Sequence, residues 1–171
     1  GDSVNKTKYN SSLYYLNANY EIKDLKSLKF ILDYLVASGD YNADNKNKDF
    51  KTSSLAGNQN LEGNYNFDFG MDAAREKIGA DLYSNVEVLG FGVAVKPTEK
   101  LALGTKYSML AKNKVAAGKS DDYGKNLDLF AKYDLGKNYY VTAGYSMFDP
   151  DKAYVPSGKK TEYMCAEFRV N

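Results

Sequence analysis

The chain has no histidine, no tryptophan, one cysteine and three prolines among 171 residues. Lacking histidine, it lacks the commonest general base and the commonest zinc ligand. A Ser/His/Asp triad is excluded, and with it the membrane-barrel lipases, acyltransferases and proteases that depend on histidine. Cys165 stands alone, so no intrachain disulfide can form. Without histidine nearby it reads as a small filler, not a metal or haem ligand. No apolar run approaches the ~20 residues that a membrane-spanning helix needs. Charge of one sign is missing too: 23 Lys and Arg stand against 22 Asp and Glu, for a net charge of +1. No basic patch points to nucleic acid. The first residues, Gly1-Asp2-Ser3-Val4, carry neither the charged nor the apolar region of an export signal. An exported protein would have lost that signal already, or the chain is a fragment of a longer one.

What is abundant is tyrosine, 16 residues, with 8 Phe and 14 Gly. This mixture favours strands over helices. Asn85 to Lys112 shows the pattern best. Leu89, Phe91, Val93 and Val95 alternate with Gly90, Gly92, Ala94 and Lys96. After the turn Lys96-Pro97-Thr98-Glu99-Lys100, Leu101, Leu103, Thr105, Tyr107, Met109 and Ala111 alternate with Ala102, Gly104, Lys106, Ser108 and Lys112. Period two is the mark of a strand with unlike faces. Here one face is large and apolar, and the other small or charged.

The same unit recurs at Ser12–Ile22, Ser27–Ala37, Asn126–Leu135, Tyr139–Phe148 and around Tyr163–Val170. About seven strands result. Short turns fall at 23–26, 97–99 and 135–138, and long polar loops at 39–83, 113–125 and 149–160. In an up-and-down sheet all short turns then lie at one end and all long loops at the other. That asymmetry belongs to outer-membrane barrels, with short periplasmic turns and long external loops. Within 39–83, Asp72 to Leu82 has the helix formers and the N-cap of a short helix.

The expected fold is therefore all-β: an antiparallel up-and-down transmembrane β-barrel with about seven strands here, as part of a larger barrel. Residues 1–171 form a single barrel unit or the C-terminal segment of one, with 39–83 as a long external loop. The lipid-facing set is Tyr14, Tyr34, Leu89, Phe91, Val93, Leu101, Leu103, Tyr107, Tyr133, Tyr139, Tyr145 and Phe168. Its tyrosines fall near the turns or six to nine residues away, as in two interfacial girdles. The pore-lining set is Glu21, Lys29, Asp33, Lys96, Lys106, Asp128, Lys132, Asp134, Glu167 and Arg169. Opposite charges interleave along it, which suits a hydrated path whose wall tunes ion selectivity. The alternative is that these charges only pair with each other and plug the interior. Mid-strand glycines relieve crowding on such a wall. The turn geometry expects Phe130 across from Gly144 and Lys106 across from Gly92.

Ser38-Gly39-Asp40 after an alternating strand, followed later by Lys96-Pro97-Thr98, Lys100-Leu101, Leu103 and Gly104, resembles the C-terminal part of the alginate-export-type outer-membrane porins. The resemblance could cover nearly the whole chain. It implies a larger monomeric barrel to which this chain supplies the last seven strands. It does not bring alginate with it as a substrate. Many such barrels end on an aromatic residue, whereas Phe168 here is followed by Arg169-Val170-Asn171. An odd strand count also fits a fragment, unless residues 1–11 hide an eighth strand.

Other motifs carry less. Asp121-Asp122 is a carboxylate pair in a polar loop. Asp40, Asn42 and Asp44 have the 1, 3, 5 spacing of a calcium loop, but the sixth position is Asn45 instead of Gly and the twelfth is Lys51 instead of Glu. Plain loop is the better reading there, with calcium a weak candidate and no other cofactor expected. Gly90-Phe91-Gly92 has no helix after it and is no phosphate cradle.

The functional expectation is a non-enzymatic porin or channel of the bacterial outer membrane for passive or weakly selective passage of small polar or charged solutes. Its partners are the lipid bilayer, those solutes and further barrel strands. The alternative is a narrow structural barrel whose long loops bind an external partner. A soluble ligand-binding barrel of the lipocalin kind is third, and the Gly-x-Trp of that family is absent.

Overall fold

The structure, a computed structural model, describes residues 8–9, 11–39, 46–47 and 85–170. Most of the 39–83 loop, the expected helix from Asp72 to Leu82 and the calcium candidates Asp40, Asn42 and Asp44 lie outside the described residues.

The strands are β1 (Lys8–Tyr9), β2 (Leu13–Ile22), β3 (Leu28–Ala37), β4 (Lys46–Asn47), β5 (Val86–Val95), β6 (Leu101–Lys112), β7 (Asp122–Gly136), β8 (Tyr139–Pro150) and β9 (Thr161–Val170). β1 and β4 make a two-residue parallel pair. The other seven form one antiparallel sheet in the order β2-β3-β5-β6-β7-β8-β9. Neighbours in the sheet follow one another along the chain, as in an up-and-down meander. The sheet is open, with β2 and β9 at its edges running in the same direction. Among the described residues no helix is long and apolar enough to cross a membrane, which says nothing about crossing by strands.

Turn chemistry sets the register. Lys137 and Asn138, with φ of 52° and 71°, form the two-residue link between β7 and β8. Positive φ at both positions is the type I′ geometry that matches strand twist. Gly136, at φ 83°, absorbs a register shift beside it. Asp134 Oδ1 accepts a hydrogen bond from the Gly136 N–H at 2.7 Å. In the β5–β6 turn, Thr98 Oγ1 accepts one from the Leu101 N–H at 3.0 Å. The short and long connections alternate as the sequence leads one to expect. Phe130 pairs with Gly144 and Lys106 with Gly92.

Two boundaries differ. β7 starts at Asp122, so its preceding loop ends well short of residue 125. The cause is a bulge opposite Leu110 and Ala111, centred on Gly124 at φ 135°. A bulge adds a residue to one strand and breaks the alternation. β8 likewise continues to Pro150.

The two faces of the sheet differ in burial. Tyr14, Leu16, Tyr20, Phe91, Leu129 and Phe168 are exposed, while Asp33, Lys106, Ser108, Asn126 and Asp128 on the other face are buried. On that buried face one apolar cluster joins Leu35 and Ala37 of β3, Val86 and Val88 of β5, Leu110, Tyr123 and Phe148 of β8. The cluster runs across five neighbouring strands, and a single sheet buries one face in this way by curling toward it.

Candidate functional site

The concave face has three zones. At the long-loop end lies the apolar cluster just described, with Leu13, Tyr15 and Tyr154 packed against it. In the middle is a buried polar layer. Lys106 Nζ lies 2.8 Å from Asp33 Oδ2. The other oxygen of Asp33 accepts hydrogen bonds from the Tyr15 hydroxyl, at 2.9 Å, and from the Asn17 amide. Asn126 Nδ2 donates to Asp128 Oδ1 at 2.8 Å and to Ser146 Oγ at 3.3 Å. Ser108 Oγ and Thr142 Oγ1 are buried with no hydrogen-bond partner among the described residues.

Glycines shape this layer. A β-carbon at Gly90 would sit 2.9 Å from Lys106 Cε and 3.2 Å from Ser108 Oγ. The bare backbone of β5 is thus the saddle over which Lys106 reaches Asp33. The Phe130 ring lies over Gly104, its register partner, in the space a side chain there would take. Large residues laid over bare glycines keep the strands close where the wall curves.

At the short-turn end the face opens into a cavity of about 290 Å³. Lys29, Lys96, Lys100 and Lys132 line it together with Glu21, Glu99 and Asp134. Lys132 Nζ also stands 3.9 Å from the centre of the Tyr140 ring.

Eight of the ten expected lining residues therefore fall into two groups on one face. Glu21, Lys29, Lys96, Lys132 and Asp134 meet around the short-turn cavity. Asp33, Lys106 and Asp128 lie deeper, in the buried layer. Glu167 and Arg169 sit on edge strand β9, opposite Thr142 and Tyr140 in register. Of the expected lipid-facing set, Tyr14, Tyr34, Phe91, Val93, Leu103, Tyr107, Tyr133, Tyr139 and Phe168 are exposed on the other face. Leu89, Leu101 and Tyr145 are half-exposed there. The Tyr34 hydroxyl donates to Glu87 Oε1 at 2.8 Å, and Tyr139 stacks on Phe168 with ring centres 5.8 Å apart. An apolar groove of about 480 Å³ runs among Tyr20, Phe30, Phe91 and Tyr107.

Sequence reasoning did not anticipate the apolar zone at the long-loop end. Val86, Val88, Leu110 and Phe148 share the parity of the polar positions, and that shared parity was the available signal. Tyr123 has the opposite parity. The Gly124 bulge sets it in the cluster, and no periodicity reveals that. Chemically the face offers a fixed ion pair, hydroxyls and a charged mouth. Among the described residues no group of three or more His, Cys, Asp or Glu side chains is placed to hold a metal ion.

No protein-family model matches the chain, and no curated protein matches it.

Proposed function

We propose that this chain is wall of a transmembrane β-barrel in the bacterial outer membrane, and that the complete barrel passes small polar or charged solutes. One observation carries the reading: the burial is inverted. Tyr14 and Tyr20 are 69% and 68% exposed, whereas Asp33 and Asp128 are 3% and 1% exposed. Water rewards the opposite arrangement, since soluble monomers rarely carry an apolar patch beyond a few hundred Å². Lipid rewards this one, and strands that cross it alternate apolar-out with polar-in. A soluble barrel with its apolar faces turned inward requires Phe91 and Leu129 buried.

The size of the apolar band agrees. The run from Leu101 to Met109 covers about 27 Å along the strand at ~3.4 Å per residue. Tilted by roughly 40°, it makes a band of about 21 Å, near the usual height for such barrels. The resemblance to alginate-export-type porins, through Ser38-Gly39 and the Lys96–Gly104 turn and strand, supports the same reading. The lysine-rich cavity serves as the mouth at the short-turn side. The wall positions solutes electrostatically and performs no chemistry on them.

The test is conductance in a planar bilayer by the complete folded barrel. Discrete channel steps are expected, and a folded, inserted barrel that never conducts rejects the reading.

A second reading is a narrow barrel, filled by side chains, whose loops bind an external partner. The packed cluster around Phe148 and Leu110 favours it. Strand number separates the two. About eight strands leave room only for side chains, and 16 or more leave a channel.

A further inference from the structure

We propose that the β8–β9 loop, residues 151–160, is a removable seal over the long-loop end of the concave face, with Tyr154 as its latch. The inference rests on the channel reading and adds a way to regulate it.

The concave face is polar at its middle and short-turn end, but the apolar cluster stops it at the other end. Most of that cluster is strand residues, which move only with the sheet. Tyr154 is different, because it comes from a loop and packs on the cluster from outside the sheet. Its ring meets that of Tyr123 edge to face, with centres 4.6 Å apart. Lys112 Nζ lies 5.2 Å from the centre of the Tyr123 ring and 5.7 Å from that of Tyr154, so one cation holds both rings.

The loop is hinged to bring Tyr154 there. The Asp151 N–H donates to the Tyr123 carbonyl at 2.9 Å, fastening the start of the loop to β7. Asp151 Oδ1 accepts from the Ala153 N–H at 2.8 Å, and its carbonyl accepts from the Tyr154 and Val155 N–H groups. This single turn aims the ring inward. At the far end Lys160 Nζ pairs with Asp149 Oδ2 at 3.2 Å, where both side chains are half-exposed. Among the described residues, anchors at the ends, with the Tyr123 ring and the Lys112 cation on Tyr154 between them, make a flap that lifts without unpairing a strand.

Tyr123 reaches the cluster only through the Gly124 bulge. The fold therefore departs from regular pairing at the place where the latch needs its receiver.

The experiment records single channels from the complete barrel carrying Tyr154→Ala and Tyr154→Phe. Both variants are first checked for the native heat-sensitive gel mobility. The alanine variant is expected to raise the open-to-closed ratio roughly tenfold, equivalent to about 1.4 kcal/mol. The phenylalanine variant keeps the ring and is expected to gate as the native chain does. If native protein conducts and Tyr154→Ala gates identically, the seal is overturned while the channel stands. If neither conducts, both fall. Should Tyr154→Ala fail to fold, Lys112→Gln weakens the same latch from the other side, and unchanged gating there also overturns the seal.

Discussion

Lys106 and Asp33 lie on strands that do not pair with each other, yet their charged ends meet 2.8 Å apart across the bare backbone of Gly90. The two side chains are 7% and 4% exposed. A buried pair of this kind adds little by existing but costs a great deal when halved, because the remaining charge loses its partner. Tyr15 and Asn17 then hold a carboxylate whose counter-charge has gone.

Lys106→Met is therefore expected to destabilise the folded sheet by about 3–5 kcal/mol, and Lys106→Met with Asp33→Asn to recover a substantial part of that loss. Urea unfolding in lipid vesicles measures both. A double variant that loses as much as Lys106→Met and Asp33→Asn added together would show that the two side chains are not coupled.

Gly90→Val reaches the same pair by another route. Its side chain occupies the saddle and pushes Lys106 away from Asp33. We expect a loss of about 1–3 kcal/mol from overpacking, and little further loss when Lys106→Met is already present. The readout is the urea midpoint of the two variants and their combination.

Leu129 lies mid-band on the convex face, between Thr105 and Tyr145 in register. Leu129→Arg is expected to cost about 2–4 kcal/mol if that face meets lipid. At a water-exposed surface the same change stays within about 0.5 kcal/mol. The same unfolding measurement in lipid vesicles decides between the two environments.

Asn138→Val acts on the turn alone. A β-branched residue at a φ of 71° costs about 1–2 kcal/mol. The expected result is a lower urea midpoint for the folded sheet, read in the same unfolding measurement.

Much of this architecture is legible in period-two alternation. It separates Phe91 and Leu129 from Asp33 and Lys106, and turn positions put Phe130 against Gly144. What alternation cannot tell is what covers a face at each height. Val86, Val88, Leu110 and Phe148 share a parity with Gly90, Lys106 and Ser146, yet they form an apolar zone instead of a wet wall. Their height along the strand, not their phase, sets that difference. Nor does alternation say which same-face charges meet. Alternation puts Lys106 on one face with Asp33, but only the curl and a missing side chain at Gly90 bring them together. Tyr123 escapes altogether, because a single bulge reverses its side.

The edge strands β2 and β9 run in the same direction, and this constrains how such a wall can be sealed. Whole hairpins add strands two at a time and leave the two free margins pointing the same way. Any ring built by hairpin gain from this sheet therefore keeps one seam where neighbours run parallel. A fully antiparallel ring requires one strand that entered without a twin. Lengthening or trimming the wall by hairpins can change its girth, but never the character of that seam.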